Sequence, residues 1–155
     1  MNRLVFAIAA AGVLAAGAAQ AQTPDHAVVT PGEIKSGPAP AALPKGAEAA
    51  LLYGDPSKPG PFALRLKAPK GYRIPPHTHP KAEIVTVISG AFRLGMGPGG
   101  DPAAAQALPT GSFFALPPGM VHYASADEET VVQLNSEGPW AINYVNPKDD
   151  PRRAK

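Results

Sequence analysis

The chain has 155 residues, enough for one domain with its own core, and 14 basic against 12 acidic residues give a net charge of +2. It contains no cysteine, so disulfides and a lipid-modified N-terminal cysteine are both excluded, and stability must come from the core, with or without a metal. Arg152, Arg153 and Lys155 crowd the C-terminus as solvated tails do, and no patterned basic surface argues for nucleic acid.

Residues 1–21 read as a secretory signal peptide. Met1-Asn2-Arg3 is a short basic start, Leu4 to Ala18 is apolar, and Ala19-Gln20-Ala21 is an A-x-A cleavage site. The apolar run is shorter and richer in alanine than a spanning helix of about 20 residues requires. No Arg-Arg pair precedes it, which argues against twin-arginine export. The expected location is therefore periplasmic or secreted, with no membrane attachment after cleavage, and loss of Arg3 lowers the net charge from +2 to +1.

Residues 22–46 form a Pro/Ala/Gly-rich extended arm, with an edge strand at His26-Ala27-Val28-Val29-Thr30 and no ligand role for His26. From Ala47 onward short strands alternate with turns. In Phe62–Lys67, Phe62, Leu64 and Leu66 face inward and Arg65 and Lys67 outward. Glu83–Ser89 is rich in β-branched residues and reads as a central strand, and Phe92, Leu94 and Met96 alternate on the next. Further strands are expected at Gln106–Leu108, Ser112–Leu116, Val121–Ala124, Thr130–Asn135 and Trp140–Val145. Trp140, Tyr144, Phe92 and Met96 either line a cavity or, as is commoner at strand spacing, form plain core, and residues 146–155 read as a polar tail. No window after the leader has a helical period, so the fold class is an all-β sandwich or barrel.

The stretch Gly71–Gly90 holds His77, His79 and Glu83, all of one parity. In an extended chain His77 and His79 share a face, and Glu83 joins them if residues 80–82 bend without changing face. Two imidazoles and a carboxylate on an inward face are costly to bury unless something pairs with them, and a divalent metal does so directly.

Two glycine-anchored segments then line up. One runs Gly71, five residues, His77, one, His79, three, Glu83, six, Gly90; the other runs Gly111, five residues, Pro117, one, Gly119, two, His122. Together they resemble the two signature motifs of the cupin superfamily, with one departure: Ala126 stands where the second motif has asparagine. The resemblance covers residues 47–145 and implies a single jelly-roll β-barrel. It also implies a metal site of His77, His79, Glu83 and His122, and a homodimer. Gly71, Gly90, Gly111 and Gly119 would allow turns that side chains obstruct.

Three imidazoles and a carboxylate suit one divalent transition metal, Fe, Mn, Zn, Ni or Cu. The resemblance implies either a metal-dependent enzyme on a small molecule, of dioxygenase, isomerase or lyase type, or a non-catalytic metal or small-ligand binder acting in sensing. A third reading is a metal-stabilised fold without activity. Tyr72, Tyr123 and Tyr144 are candidate proton donors, and nothing in the sequence selects among them.

Overall fold

Alternating apolar and polar residues, punctuated by glycine and proline, give short strands that pair antiparallel in two facing sheets. The structure is a computed structural model that describes residues 26–153. The proposed signal peptide at residues 1–21 lies outside the described residues. Among those described, no helix is long and apolar enough to cross a membrane.

Eleven strands follow in chain order: β1 (Gly37–Pro38), β2 (Glu48–Tyr53), β3 (Gly60–Ala68), β4 (Arg73–Thr78), β5 (Glu83–Ser89), β6 (Ala91–Met96), β7 (Gln106–Pro109), β8 (Phe113–Leu116), β9 (His122–Ala126), β10 (Thr130–Gly138) and β11 (Asn143–Tyr144). One sheet has the order β1-β2-β3-β10-β5-β8 and the other β11-β4-β9-β6-β7. The expected central strand, β5, is paired on both sides, by β10 and β8. Inward residues of both sheets interdigitate in one apolar core, including Leu66, Ile74, Val85, Val87, Phe92 and Val132. The arrangement is a jelly-roll barrel with an N-terminal arm, as the resemblance implied.

Four local expectations change. Residues 26–30 are not a strand; Thr30 instead caps a 3-10 turn at Pro31–Glu33, its backbone N–H donating to Glu33 Oε2 at 2.8 Å. Among the described residues the arm's only strand is β1, paired with β2, and Ala42 and Leu43 then pack against the barrel's own core. Trp140–Val145 is a strand only at Asn143–Tyr144, because the Trp140 N–H donates to the Pro56 carbonyl at 2.7 Å instead of a ladder partner. The tail is not simply solvated: Arg152 folds back and its Nη2 donates to the Ile142 carbonyl at 3.1 Å.

Gly90 closes the β5–β6 turn with φ of +85°, in the left-handed region. A Cβ there would also strike the Glu129 carbonyl and Thr130. Thr130 is buried, and its hydroxyl accepts from the Ala91 N–H at 3.1 Å and donates to the Glu128 carbonyl at 2.9 Å. Ala126, the departure from the motif, is a buried methyl whose backbone bonds Tyr72 and Gly71 at 3.0 and 2.8 Å. The backbone therefore supplies the turn-fixing bonds here, and an asparagine amide would be buried in apolar surroundings.

Gly90→Ala combines a disfavoured φ with a backbone clash, so it should destabilise the fold by about 2–4 kcal/mol. Thermal unfolding measures this. The same substitution at Gly32, where a Cβ meets nothing, should leave the melting temperature close to wild type.

Candidate metal centre

The pairing of β4 with β9 sets the geometry. His77 lies directly opposite His122 in that ladder, and the two ring centroids are 4.2 Å apart. His79 follows the end of β4 and points the same way, its ring 4.8 Å from that of His77. The turn before β9 is held by the Gly119 N–H, which donates to the His79 carbonyl at 2.9 Å. Gly119 has φ of +76°, so this turn needs a residue free of a Cβ penalty. Glu83 opens β5 in the opposite sheet and meets the histidines across the barrel. The segment between His79 and Glu83 thus crosses between sheets, which keeps both on the interior.

The group is buried, with His77 2 %, His122 3 %, His79 6 % and Glu83 8 % exposed. One ring nitrogen of each histidine lies within 4.8 Å of the others, and Glu83 stands beside this trio. Its Oε2 is 3.0 Å from His122 Nε2, and its Oε1 is 3.6 Å from His79 Nε2.

Each imidazole is oriented by its Nδ1. That atom donates to a backbone carbonyl in all three cases: Pro75 at 2.7 Å for His77, Ala141 at 2.8 Å for His79, and Met120 at 3.0 Å for His122. A carbonyl only accepts, so Nδ1 carries the hydrogen and a neutral ring leaves its Nε2 lone pair free. Burial lowers His77 to about 3, with the charge of His122 adding to the effect. Burial likewise lowers His79. At His122 burial acts in the same direction, but the adjacent Glu83 carboxylate and the Met120 carbonyl outweigh it and leave that ring raised.

Two atoms in the cluster, His79 Nε2 and Glu83 Oε2, are buried with no hydrogen-bond partner. A lone pair on His122 Nε2 facing a carboxylate oxygen at 3.0 Å is repulsive unless a proton or cation lies between them. Three clustered imidazoles with a carboxylate beside them fit a divalent cation, with the Nδ1–H bonds fixing the tautomer that binding requires.

The cluster opens on a cavity of about 320 Å³ between the sheets. Trp140 and Phe92 line it, and Phe92 belongs to the apolar core as well. Met96 belongs to neither, being 50 % exposed on the outer face. Trp140 stacks on His79, with centroids 4.1 Å apart and an interplanar angle of 16°. The candidate proton donors turn away: the Tyr72, Tyr123 and Tyr144 hydroxyls donate to the carbonyls of Pro44, Asp101 and Ala42 at 2.7, 2.7 and 2.8 Å. Burial raises the Tyr144 hydroxyl to about 12 and also raises Tyr72.

Sequence reasoning named the four residues that the structure brings together and missed their supports. Pro75 and Met120 lie two residues before their histidines, a local signal that can be read from the chain. Ala141, Trp140 and Arg152 carry no such signal, because only folding brings them to the site.

The two facing sheets and the buried histidine cluster with its carboxylate define a cupin. The chain belongs to the family described as "Domain of unknown function (DUF4437)", whose model matches residues 33–150. Germin-like protein 12-2 of Oryza sativa subsp. japonica is 37 % identical over 90 residues, covering 51 % of this chain and 39 % of the relative. The chain thus matches well under half the length of such relatives. Among solved structures, the polyketide cyclase RemF from Streptomyces resistomycificus has a TM-score of 0.64 at 15 % identity, covering 82 % of this chain and 90 % of that one. An RmlC-like cupin from Shewanella frigidimarina has a TM-score of 0.57 at 14 % identity, covering 74 % and 92 %. At these identities the likeness is one of fold.

His122→Ala should lower retained metal and melting temperature together, because metal binding and folding are coupled. Elemental analysis beside thermal unfolding checks this, and unchanged metal content would refute a shared site. Trp140 is the chain's single tryptophan and lies on His79. Its fluorescence should therefore be quenched by Cu²⁺ with saturation near one equivalent, and much less so in His79→Ala.

Proposed function

We propose that this cupin binds one divalent transition metal through His77, His79, Glu83 and His122 and acts on a small molecule held in the adjoining cavity. The observation that carries the reading is the shared orientation of the three imidazoles. Each spends its Nδ1–H on a carbonyl and presents Nε2 to its neighbours and to the cavity. A merely structural cluster of buried histidines has no need of three imidazoles oriented alike through their Nδ1–H beside a buried carboxylate.

A bound ion would supply Lewis acidity, or electron transfer if it is redox-active. The chain's own residues do the rest. The carbonyls of Pro75, Ala141 and Met120 hold the rings in register, and Trp140 fixes the plane of His79. The apolar wall excludes bulk water. Among the described residues Glu83 is the only carboxylate lining the cavity, so it either completes the metal's donor set or exchanges protons with whatever binds there.

A second reading, a metal or small-ligand binder without turnover, is favoured by one specific observation. All three candidate tyrosine hydroxyls are committed to backbone carbonyls, which leaves no separate acid/base pair in the cavity. Screening metal-reconstituted protein for O₂ consumption and for turnover of small phenols and diketones separates the two. Turnover with any metal establishes the enzyme; tight ligand binding with no turnover establishes the binder.

The leader at residues 1–21 supports export, and a protein that folds outside the cytoplasm acquires its metal there. The intrinsic affinity order favours copper and zinc over manganese and iron. Protein isolated from the exported fraction should therefore carry zinc, copper or a mixture. Stoichiometric iron or manganese by elemental analysis would overturn that expectation.

A further inference from the structure

We infer that the cavity takes a compact molecule with an apolar, preferably planar body and a single oxygen-bearing head, such as an aryl diol, enol or carboxylate, and rejects sugars and other polyols. This rests on the metal reading above and narrows it to a substrate class.

Hydrogen-bonding groups are sparse on the cavity wall. Away from the histidines and Glu83 the wall is built from side chains such as Leu64, Leu94, Phe114, Val132 and Leu134. Among the described residues three other side chains with polar atoms line it: Ser57 and Arg152, which bond within the protein, and Trp140, which carries an indole N–H. The Ser57 hydroxyl donates to Asp55 Oδ1 at 2.6 Å. Arg152 donates through Nε and Nη2 to the two Asp150 oxygens at 2.7 and 2.9 Å, and through Nη2 to the Ile142 carbonyl.

Backbone acceptors on the wall are similarly engaged. The Ala42 carbonyl accepts from Tyr144, that of Pro56 from the Trp140 N–H, and that of Ala141 from His79. A ligand's body therefore finds few hydrogen-bond partners beyond the Trp140 indole N–H. The several hydroxyls of a polyol buried there would give up most of their bonds to water without replacement. The polar end is confined to one place, where the histidine nitrogens and Glu83 converge.

Size and shape agree. A cavity of about 320 Å³ lies at the small end of ligand sites and holds roughly ten water-sized volumes, so the ligand is of the order of ten non-hydrogen atoms. Phe92 and Phe114 lie nearly parallel on the wall, 12° apart with centroids at 6.0 Å, and Trp140 offers a further ring. Flat aromatic faces of this kind favour a planar, conjugated body over a puckered polyol.

The test uses full-length protein reconstituted with zinc, which is redox-inert, and two probes of similar size: 4-nitrocatechol and D-mannose. Calorimetry and thermal shift are read for both, and the visible spectrum of 4-nitrocatechol reports its head directly. The expected result is binding of 4-nitrocatechol at least about a hundredfold tighter than mannose, since several unpaired hydroxyls each weaken binding. Leu134→Asn should reduce 4-nitrocatechol binding by about tenfold while metal content stays at the wild-type level. If that variant fails to fold, Leu134→Phe, which fills the cavity with an apolar ring, should have the same effect. Mannose binding as tight as 4-nitrocatechol, or binding of neither probe to metal-loaded protein, overturns the inference. Failure of the metal reading shows separately, as protein that retains no zinc by elemental analysis.

Discussion

Three imidazoles and a carboxylate are buried in an apolar barrel, and most of the local structure around them compensates for the loss of water. The solution is directional. Each Nδ1–H is given to a main-chain carbonyl, which satisfies one side of every ring and leaves the other facing the interior. What remains is a concentration of electron pairs with two unpartnered atoms, His79 Nε2 and Glu83 Oε2. Such a cluster is unfavourable by itself, and this is the physical basis for assigning it a cation.

The barrel is arranged so that the cluster can form. His77 and His122 face each other in a single ladder, so the β4–β9 register alone brings the two signature segments together. Glu83 comes from the other sheet, so the carboxylate joins only when the two sheets close on each other. The irregular segment at Trp140–Ile142 contributes the carbonyl that orients His79, a ring that stacks on it, and the carbonyl that receives Arg152. The arm completes the enclosure: the Tyr72 and Tyr144 hydroxyls tie down Pro44 and Ala42, which places Leu43 on the cavity wall.

The same economy limits the chemistry available. The hydroxyls that could have served a reaction instead fasten loops, and the arginine that could have read an anion is paired with Asp150. Polarity in the cavity is concentrated at one end. A fold shared with cyclases and other cupins does not choose among their reactions, since one architecture hosts many. The distribution of polar groups on this wall is more discriminating, because it belongs to this chain.

Much of the fold was legible because strand grammar is local. Alternation in Phe62–Lys67, the β-branched run of β5 and the glycines closing each turn can be read without knowing what packs where. The clustered residues were legible for the same reason: the spacing of His77, His79, Glu83 and His122 is a property of the chain. The exceptions arose where long-range contacts override local pattern. Trp140–Val145 alternates like a strand, but the Trp140 N–H finds the Pro56 carbonyl first. Met96 alternates like a core residue and lies outside. Arg152 belongs to a charged tail by composition and to the cavity wall by position.

The sequence by itself thus determined which side chains are available to hold a metal, and in which kind of barrel. Only the tertiary structure decided how they are oriented and what surrounds them. Ring tautomers, the carbonyl behind His79 and the apolar wall all depend on residues distant in the chain, and no local spacing encodes contacts of that range.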